Sequence, residues 1–234
     1  VWITSKVNTD KTWLIRHDPR RVYVNTTAGT RAAVSEALTQ LRTTYIDLML
    51  VHGPWNTSHD ERIAVWTGLI DAQRAGEVRA IGVSNFRRDQ IEELEAATGV
   101  LPAANQLEYH PWVTDVQRTT VRWCMSKGIA VIAYNSLGGR RNHAKGSVVK
   151  QLAEKYSVTN ANVLLRWGHE EGVAVIPSSS TPSHVVSNMA IRGFSLTAED
   201  HSRLEASEKP RNFLMHGALG DKVFRWAPPY KAGG

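Results

Sequence analysis

The sequence predicts an α/β fold, a parallel sheet with crossover helices of the (β/α)8 TIM-barrel kind, incomplete at about six of eight units. Three observations carry this. Short apolar runs rich in β-branched residues alternate about six times with amphipathic stretches, with no linker or low-complexity segment between them. Such alternation means parallel strands joined by helices. The first run lacks the glycine-rich turn that opens a doubly wound nucleotide-binding sheet. Polar residues stand at the end of nearly every run: Lys6, His52, Ser84 with Asn85, Gln106, Tyr134, and Ser178 with Ser179. Functional groups gathered from many strand ends are the mark of a barrel.

Taken in order, residues 1–7 (VWITSKV) have the β-branched and aromatic content of a strand. Residues 8–29 are a long irregular connection containing Arg16, Arg20 and Arg21, and connections of this size are usually functional or inserted. Thr30 is placed to cap a helix in which Val34, Ala37, Leu38 and Leu41 follow i, i+3, i+4, i+7 spacing. The run from Tyr45 to Val51 is apolar enough to be buried on both faces, and it stops at His52-Gly53-Pro54. Taken alone, His52 is as readily a core histidine as a functional one. A helix over 61–75 turns Trp66, Leu69 and Ile70 inward and stops at Gly76, and a strand over 79–84 ends at Ser84-Asn85. A helix over 88–98 is followed by Gly99, and a short strand over 103–107 by Glu108-Tyr109-His110-Pro111. A helix over 114–127 packs Val121 and Met125 and ends at Gly128, before a strand over 129–134. Helices near 145–156 and 160–170 precede a strand over 173–176, and Thr181-Pro182 reads as a cap and first-turn proline of another helix. A last amphipathic helix lies near 197–207.

The 234 residues, 42% hydrophobic, suit a single barrel domain over 1–234, with an irregular tail from 209 to 234. No apolar run reaches the roughly 18 residues of a membrane span. The net charge of +6 is scattered, without the basic and aromatic stripe of a nucleic-acid binder. One cysteine, Cys124, excludes an internal disulfide framework. It points to the cytoplasm or another reducing compartment, including an organelle reached after removal of a targeting segment. The histidines at 17, 59, 143, 169, 201 and 216 are dispersed, without metal-ligand spacing, so no metal site is expected. His110 reads as structural and Cys124 as core.

The segments ITSK, YIDLMLVHGP, GEVRAIGVSNF, NQLEYHPW, KGIAVIAYNSLGG, VLLRW and VAVIPSSSTPSHVVSN occur in that order from Val1 to about residue 208. Together they resemble the aldo-keto reductases, NAD(P)H-dependent barrels that reduce aldehydes and ketones. The resemblance implies that Lys6 and His52 are catalytic. It implies that Ser84, Asn85 and Gln106 hydrogen-bond the nicotinamide carboxamide and that Tyr134 stacks on its ring. Leu137 and Gly138 then run along the pyrophosphate, while Ser179 and Asn188 serve the adenosine phosphate. The chemistry fits these residue types: hydride transfer builds negative charge on the carbonyl oxygen, which fixed positive dipoles and a proton donor must meet.

The sequence also departs from the family pattern. Ser178 and His184 stand where many members place a lysine and an arginine toward the adenosine 2′-phosphate, so NADPH and NADH are both expected cofactors. Ser187 replaces a glutamate that contacts adenine. Gly53 replaces the usual tryptophan after the histidine, and Trp55 is the candidate to stand in for it. The resemblance starts at the family's third strand, so two βα units and the catalytic aspartate and tyrosine have no counterparts. Tyr45, Tyr109 and Tyr134 lie in other motifs. About six of eight units are therefore expected, with slow or no turnover as the chain stands, and three explanations stay open: an amino-terminally truncated sequence whose first part carries the aspartate and tyrosine, a partner protein covering the open sheet edge, or a chain that has lost catalysis. Three functions follow: a reductase of small-molecule carbonyls, a non-catalytic structural or interaction subunit, and a nicotinamide-binding regulatory module. The last two follow if the chain is a pseudoenzyme, and the interaction subunit need bind no cofactor.

Overall fold

The computed structural model describes residues 1–9, 24–55, 57–138 and 147–208. Arg16, Arg20, Arg21 and the tail from residue 209 lie outside them. The strands are β1 (Thr4–Val7), β2 (Ile46–Val51), β3 (Val78–Ser84), β4 (Ala104–Glu108), β5 (Ala130–Tyr134) and β6 (Ala174–Val175). The α-helices are α1 (Thr27–Leu41), α2 (His59–Arg74), α3 (Arg88–Thr98), α4 (Asp115–Ser126), α5 (Ser147–Tyr156), α6 (Asn160–Glu170), α7 (Pro182–Asn188) and α8 (Ala198–Ala206). A 3-10 turn over Ala190–Arg192, which the sequence pattern does not show, joins α7 to α8. The sheet order β1-β2-β3-β4-β5-β6 is sequential, and the β1/β2, β2/β3 and β5/β6 ladders are parallel. The chain divides into two compact units. Of the described residues, one holds Val1–Asn105 with Ser126–Ile129, and the other holds Gln106–Met125 and the chain from Ala130 to residue 208.

In the first unit, every residue of β2 is buried. Ile46, Leu48, Met49, Leu50 and Val51 are each at most 4% exposed, and each such side chain contributes roughly 1.5–3 kcal/mol. Buried among them is Asp47, whose carboxylate accepts from the Ile3 amide at 2.9 Å and from Arg79 at 2.8 Å. The Arg79 guanidinium also lies 3.8 Å over the Tyr45 ring. This cluster pins the amino ends of β1, β2 and β3. Helices α1 and α2 approach closely because Gly68 has no side chain: a Cβ there would stand 2.6 Å from Thr30 Cβ. Thr30 is therefore an interior packing residue. The cap is Thr26, whose hydroxyl accepts from the Gly29 amide, so α1 begins a turn earlier than the sequence reading placed it. Leu41 lies in the last turn and is exposed, while Val34 is buried. Helix α2 starts at a capping box of Ser58 and Glu61, and α3 ends at Gly99 in the left-handed region (φ 70°).

In the second unit, α4 buries Gln117, Thr120, Val121 and Cys124. Met125 lies one position past that face and is exposed at the helix end. Trp112 and Trp167 are fully buried, and Trp112 donates its indole N–H to the Leu204 carbonyl at 2.8 Å, which docks α8. The α5–α8 contact centres on Asp200, whose carboxylate receives Lys155 (2.6 Å), Thr197 (2.9 Å) and Tyr156. Strand β6 is two residues long, shorter than its apolar run, and Ile176 beyond it is exposed. Helix α7 has Thr181 at its N-cap position and Pro182 in its first turn, with no side-chain cap bond. Residues Val1 and Trp2 precede β1 and are exposed.

Candidate functional site

The strand register of the first unit places three expected site residues on one face. Lys6 pairs with Leu50, and Leu50 with Gly82. Side chains alternate along a strand, so Lys6, His52 and Ser84 share a face, with His52 and Ser84 level with each other at the carboxyl ends of β2 and β3. Lys6 is open to solvent on one side, yet burial of the rest pushes its ammonium below the usual lysine range. It also borders a cavity of about 180 Å³ between β1 and α1, with Ser5, Asn8, Glu36 and Gln40.

The loop carrying His52 is wired from both flanks. The His52 amide donates to the Val7 carbonyl at 2.9 Å, continuing the β1/β2 ladder past its end. Thr9 Oγ1 donates to the Gly53 carbonyl. Thr57 Oγ1 donates to the Pro54 carbonyl at 2.7 Å, and the Thr57 carbonyl accepts from Arg62, itself paired with Glu93 at 2.6 Å. From β3, Asn85 Nδ2 donates to the His52 carbonyl and to Ser84 Oγ, each at 3.0 Å. Asn85 sits at φ 61°, where asparagine is among the few side-chain residues accepted, so its amide can reach back to the neighbouring strand. Trp55 meets the His52 ring in a T-shaped contact, with centroids 5.4 Å apart. Sequence reasoning missed Thr9, Thr57 and Arg62. They are ordinary polar residues in sequence: Thr9 reaches Gly53 across 44 positions and Arg62 reaches Glu93 across 31, while Thr57 closes a local turn onto Pro54.

In the second unit, β4 brings Gln106, buried, to the sheet. Two residues on, Glu108 is buried and accepts from Asn135 Nδ2 at 2.6 Å, with His110 Nε2 at 3.3 Å. The Trp112 amide donates to His110 Nδ1, so the imidazole proton sits on Nε2 and points at Glu108. His110 thus links the Trp112 amide to the Glu108 carboxylate at the end of β4. Asn135, at φ 55°, follows β5 as Asn85 follows β3. Tyr134 ends β5. Its phenol is held well above the ordinary value of 10, first by burial and then by the Glu108 charge. Tyr109 is raised for the same first reason and by Glu171, which accepts its hydroxyl at 2.8 Å. Both are neutral phenols, poor acids at neutral pH.

Gly138 is buried at φ 76°, and its amide donates to the Asn135 carbonyl at 2.9 Å; Leu137 beside it is half-buried. Ser178, Ser179 and His184 are exposed, and Asn188 is half-buried. Ser179 Oγ accepts from the Thr181 amide at 3.1 Å, which orders the entry to α7. Ser187 turns away, its carbonyl and hydroxyl both bonded to Asn162. The structure also gathers Glu171, His201 and Glu205, which sequence spacing left apart, with their ligand atoms within 4.8 Å. Protein groups already take them up: Tyr109 for Glu171, Glu170 for His201, and Trp167 and Arg118 for Glu205. No helix among the described residues is long and apolar enough to cross a membrane.

A family model described as the aldo/keto reductase family matches residues 1–209. The NADPH-dependent D-xylose reductase of Meyerozyma guilliermondii is 31% identical over 230 residues, covering 83% of this chain and 69% of that protein. The methylglyoxal reductase DkgA of Salmonella typhimurium is 35% identical over 171 residues, 73% of this chain and 61% of the relative. Among solved structures, an aldo/keto reductase from Brucella melitensis superposes with a TM-score of 0.75 at 31% identity, over 89% of this chain and 73% of that one. A Bombyx mori aldo-keto reductase in complex with NADP gives 0.76 at 30% identity, over 89% and 68%. The chain thus spans about three fifths to three quarters of the proteins it matches.

Proposed function

We propose that this chain, which belongs to the aldo/keto reductase family, binds a nicotinamide cofactor and directs its hydride to a small carbonyl compound. The observation that carries the reading is the shared face of Lys6, His52 and Ser84 at adjacent strand ends. An imidazole and an ammonium so placed can hydrogen-bond and polarise a carbonyl oxygen as negative charge develops there. The cofactor, when bound, supplies the hydride. By likeness to the family, Ser84, Asn85 and Gln106 hold its carboxamide, and Tyr134 lies against its ring. The neutral state of the Tyr134 phenol suits that stacking role. Leu137 and Gly138 follow the pyrophosphate, and Ser178, Ser179, His184 and Asn188 take the adenosine end. The serines and His184 offer hydrogen bonds and no permanent cation, so discrimination between NADPH and NADH is weak.

A second reading, cofactor binding without turnover, is favoured by the tyrosines. Among the described residues, Tyr109 and Tyr134 are held neutral, Tyr156 is bound to Asp200, and Tyr45 sits at the amino end of β2 under Arg79. Tyr45, the one of the four in the same unit as His52, lies at the opposite end of β2 from it. One experiment separates the readings: loss of NADPH absorbance with methylglyoxal, alongside a fluorescence titration of NADPH. Turnover that falls at least tenfold in both Lys6→Met and His52→Gln supports reduction. Binding with no turnover leaves the second reading, and no binding at millimolar cofactor overturns both.

A further inference from the structure

Gly53 and Trp55 form a coupled pair beside His52. A Cβ on Gly53 would stand 2.6 Å from three atoms of the Trp55 indole. Real Cβ atoms do not approach ring carbons that closely, so the indole occupies the space that any side chain at 53 would enter. The Gly53 backbone itself lies outside the left-handed region, so nothing else demands glycine there. The same indole meets the His52 imidazole at 5.4 Å with an interplanar angle of 61°. Edge contacts of this kind orient the rings. The backbone beneath is fixed by Thr9 on Gly53 and by Thr57 on Pro54. Trp55 and His52 are both only half-buried, so the indole presents apolar surface to whatever approaches the imidazole.

We propose that Trp55 is the positioning and specificity residue of this site: it holds the His52 ring and walls the carbonyl position, Gly53 exists to admit it, and the pair favours carbonyl compounds carrying a flat apolar group over short aliphatic ones. The selectivity part rests on the carbonyl-reductase reading. The coupling part does not.

The coupling is tested on the whole chain by thermal unfolding and by NMR of histidine-labelled protein, with the His52 signals assigned through His52→Gln. Gly53→Ala lowers the melting temperature by about 2–6 °C, and the same change made in a Trp55→Ala background lowers it by less than 1 °C. Trp55→Ala and Gly53→Ala both move the His52 ring resonances, whereas Trp55→Phe moves them less, and His110 and His201 stay in place. Equal melting losses from Gly53→Ala in the two backgrounds, or unmoved His52 resonances, would overturn the pairing. Selectivity is read from benzaldehyde and propanal with NADPH, as the dissociation constant and, where turnover occurs, as KM against kcat. Trp55→Ala weakens benzaldehyde at least fivefold and propanal less than twofold, with Trp55→Phe restoring most of the difference. Equal loss for both probes overturns the selectivity. If neither probe binds the unaltered chain, the selectivity falls together with the reductase reading, while the melting and NMR results still decide the pairing.

Discussion

Replacing Asp200 with asparagine removes the charge at the centre of the α5–α8 contact and leaves its shape. Burial alone would push this carboxyl up. The hydrogen bonds from Lys155, Tyr156 and Thr197, together with the Lys155 charge, outweigh burial and hold it at about 2 against the ordinary 3.8. At 1.36 kcal/mol per pH unit the difference is worth about 2 kcal/mol. Lys155 is half exposed, so solvent and salt screen its share, and the figure is an upper end. The sign follows from the direction of the shift. A carboxyl depressed in the folded state stabilises fully above its unfolded value, and that stabilisation fades as pH falls from near 4 toward 2. Urea unfolding of the native chain and Asp200→Asn should therefore differ by up to about 2 kcal/mol at pH 7 and by roughly half that at pH 3. Raising salt should narrow the gap at pH 7. A gap under 0.5 kcal/mol at pH 7, or one that stays constant from pH 7 to 3, refutes the reasoning.

Asp47→Asn weakens the clamp on the Ile3 amide and Arg79 and should cost about 1–3 kcal/mol, with amide exchange accelerating first in β1, whose amino end it holds. Uniform acceleration through α3 would show that the clamp is not local. Glu108→Gln keeps a partner for Asn135 but removes the charge that raises Tyr134. The Tyr134 phenol should then titrate lower than in the native chain, yet still above 10 because burial remains; an unmoved 295 nm titration refutes the assignment.

The fold was legible because its signals are local. The β2 run is apolar at every position but Asp47 since both faces are covered, and Gly76, Gly99 and Gly128 stop their helices at positive φ. The start of α1 was misplaced because Thr26 and Thr30 are both plausible caps in sequence. Only the close approach of Gly68 makes Thr30 an interior residue. The candidate site was legible as strand ends, not as geometry. Lys6, His52 and Ser84 could be named from motifs, but their shared face depends on register. The supports of His52 come from residues 33 to 44 positions away, Asn85 and Thr9 reaching it or Gly53, and no spacing rule reports such contacts. The sequence places Glu108 just past its strand, whereas it closes β4, and its meaning depends on Asn135, 27 residues later.

Asn85 and Asn135 show why a binding role and a structural role need not be alternatives. Each follows a strand directly and sits at positive φ. Each spends a side-chain N–H on the end of a neighbouring strand, Asn85 on the His52 carbonyl and Asn135 on the Glu108 carboxylate. The left-handed turn brings the short amide back over the sheet, which a longer or β-branched side chain could not do without strain. The position that family likeness assigns to the cofactor carboxamide is thus also the one that holds the histidine loop in place. Loss of Asn85 therefore disturbs His52 whether or not a nicotinamide is bound. A drop in turnover on Asn85→Ala would not by itself identify a cofactor ligand. A change in the His52 resonances of the cofactor-free chain separates the structural contribution, and only the remainder, read from nicotinamide affinity, belongs to binding.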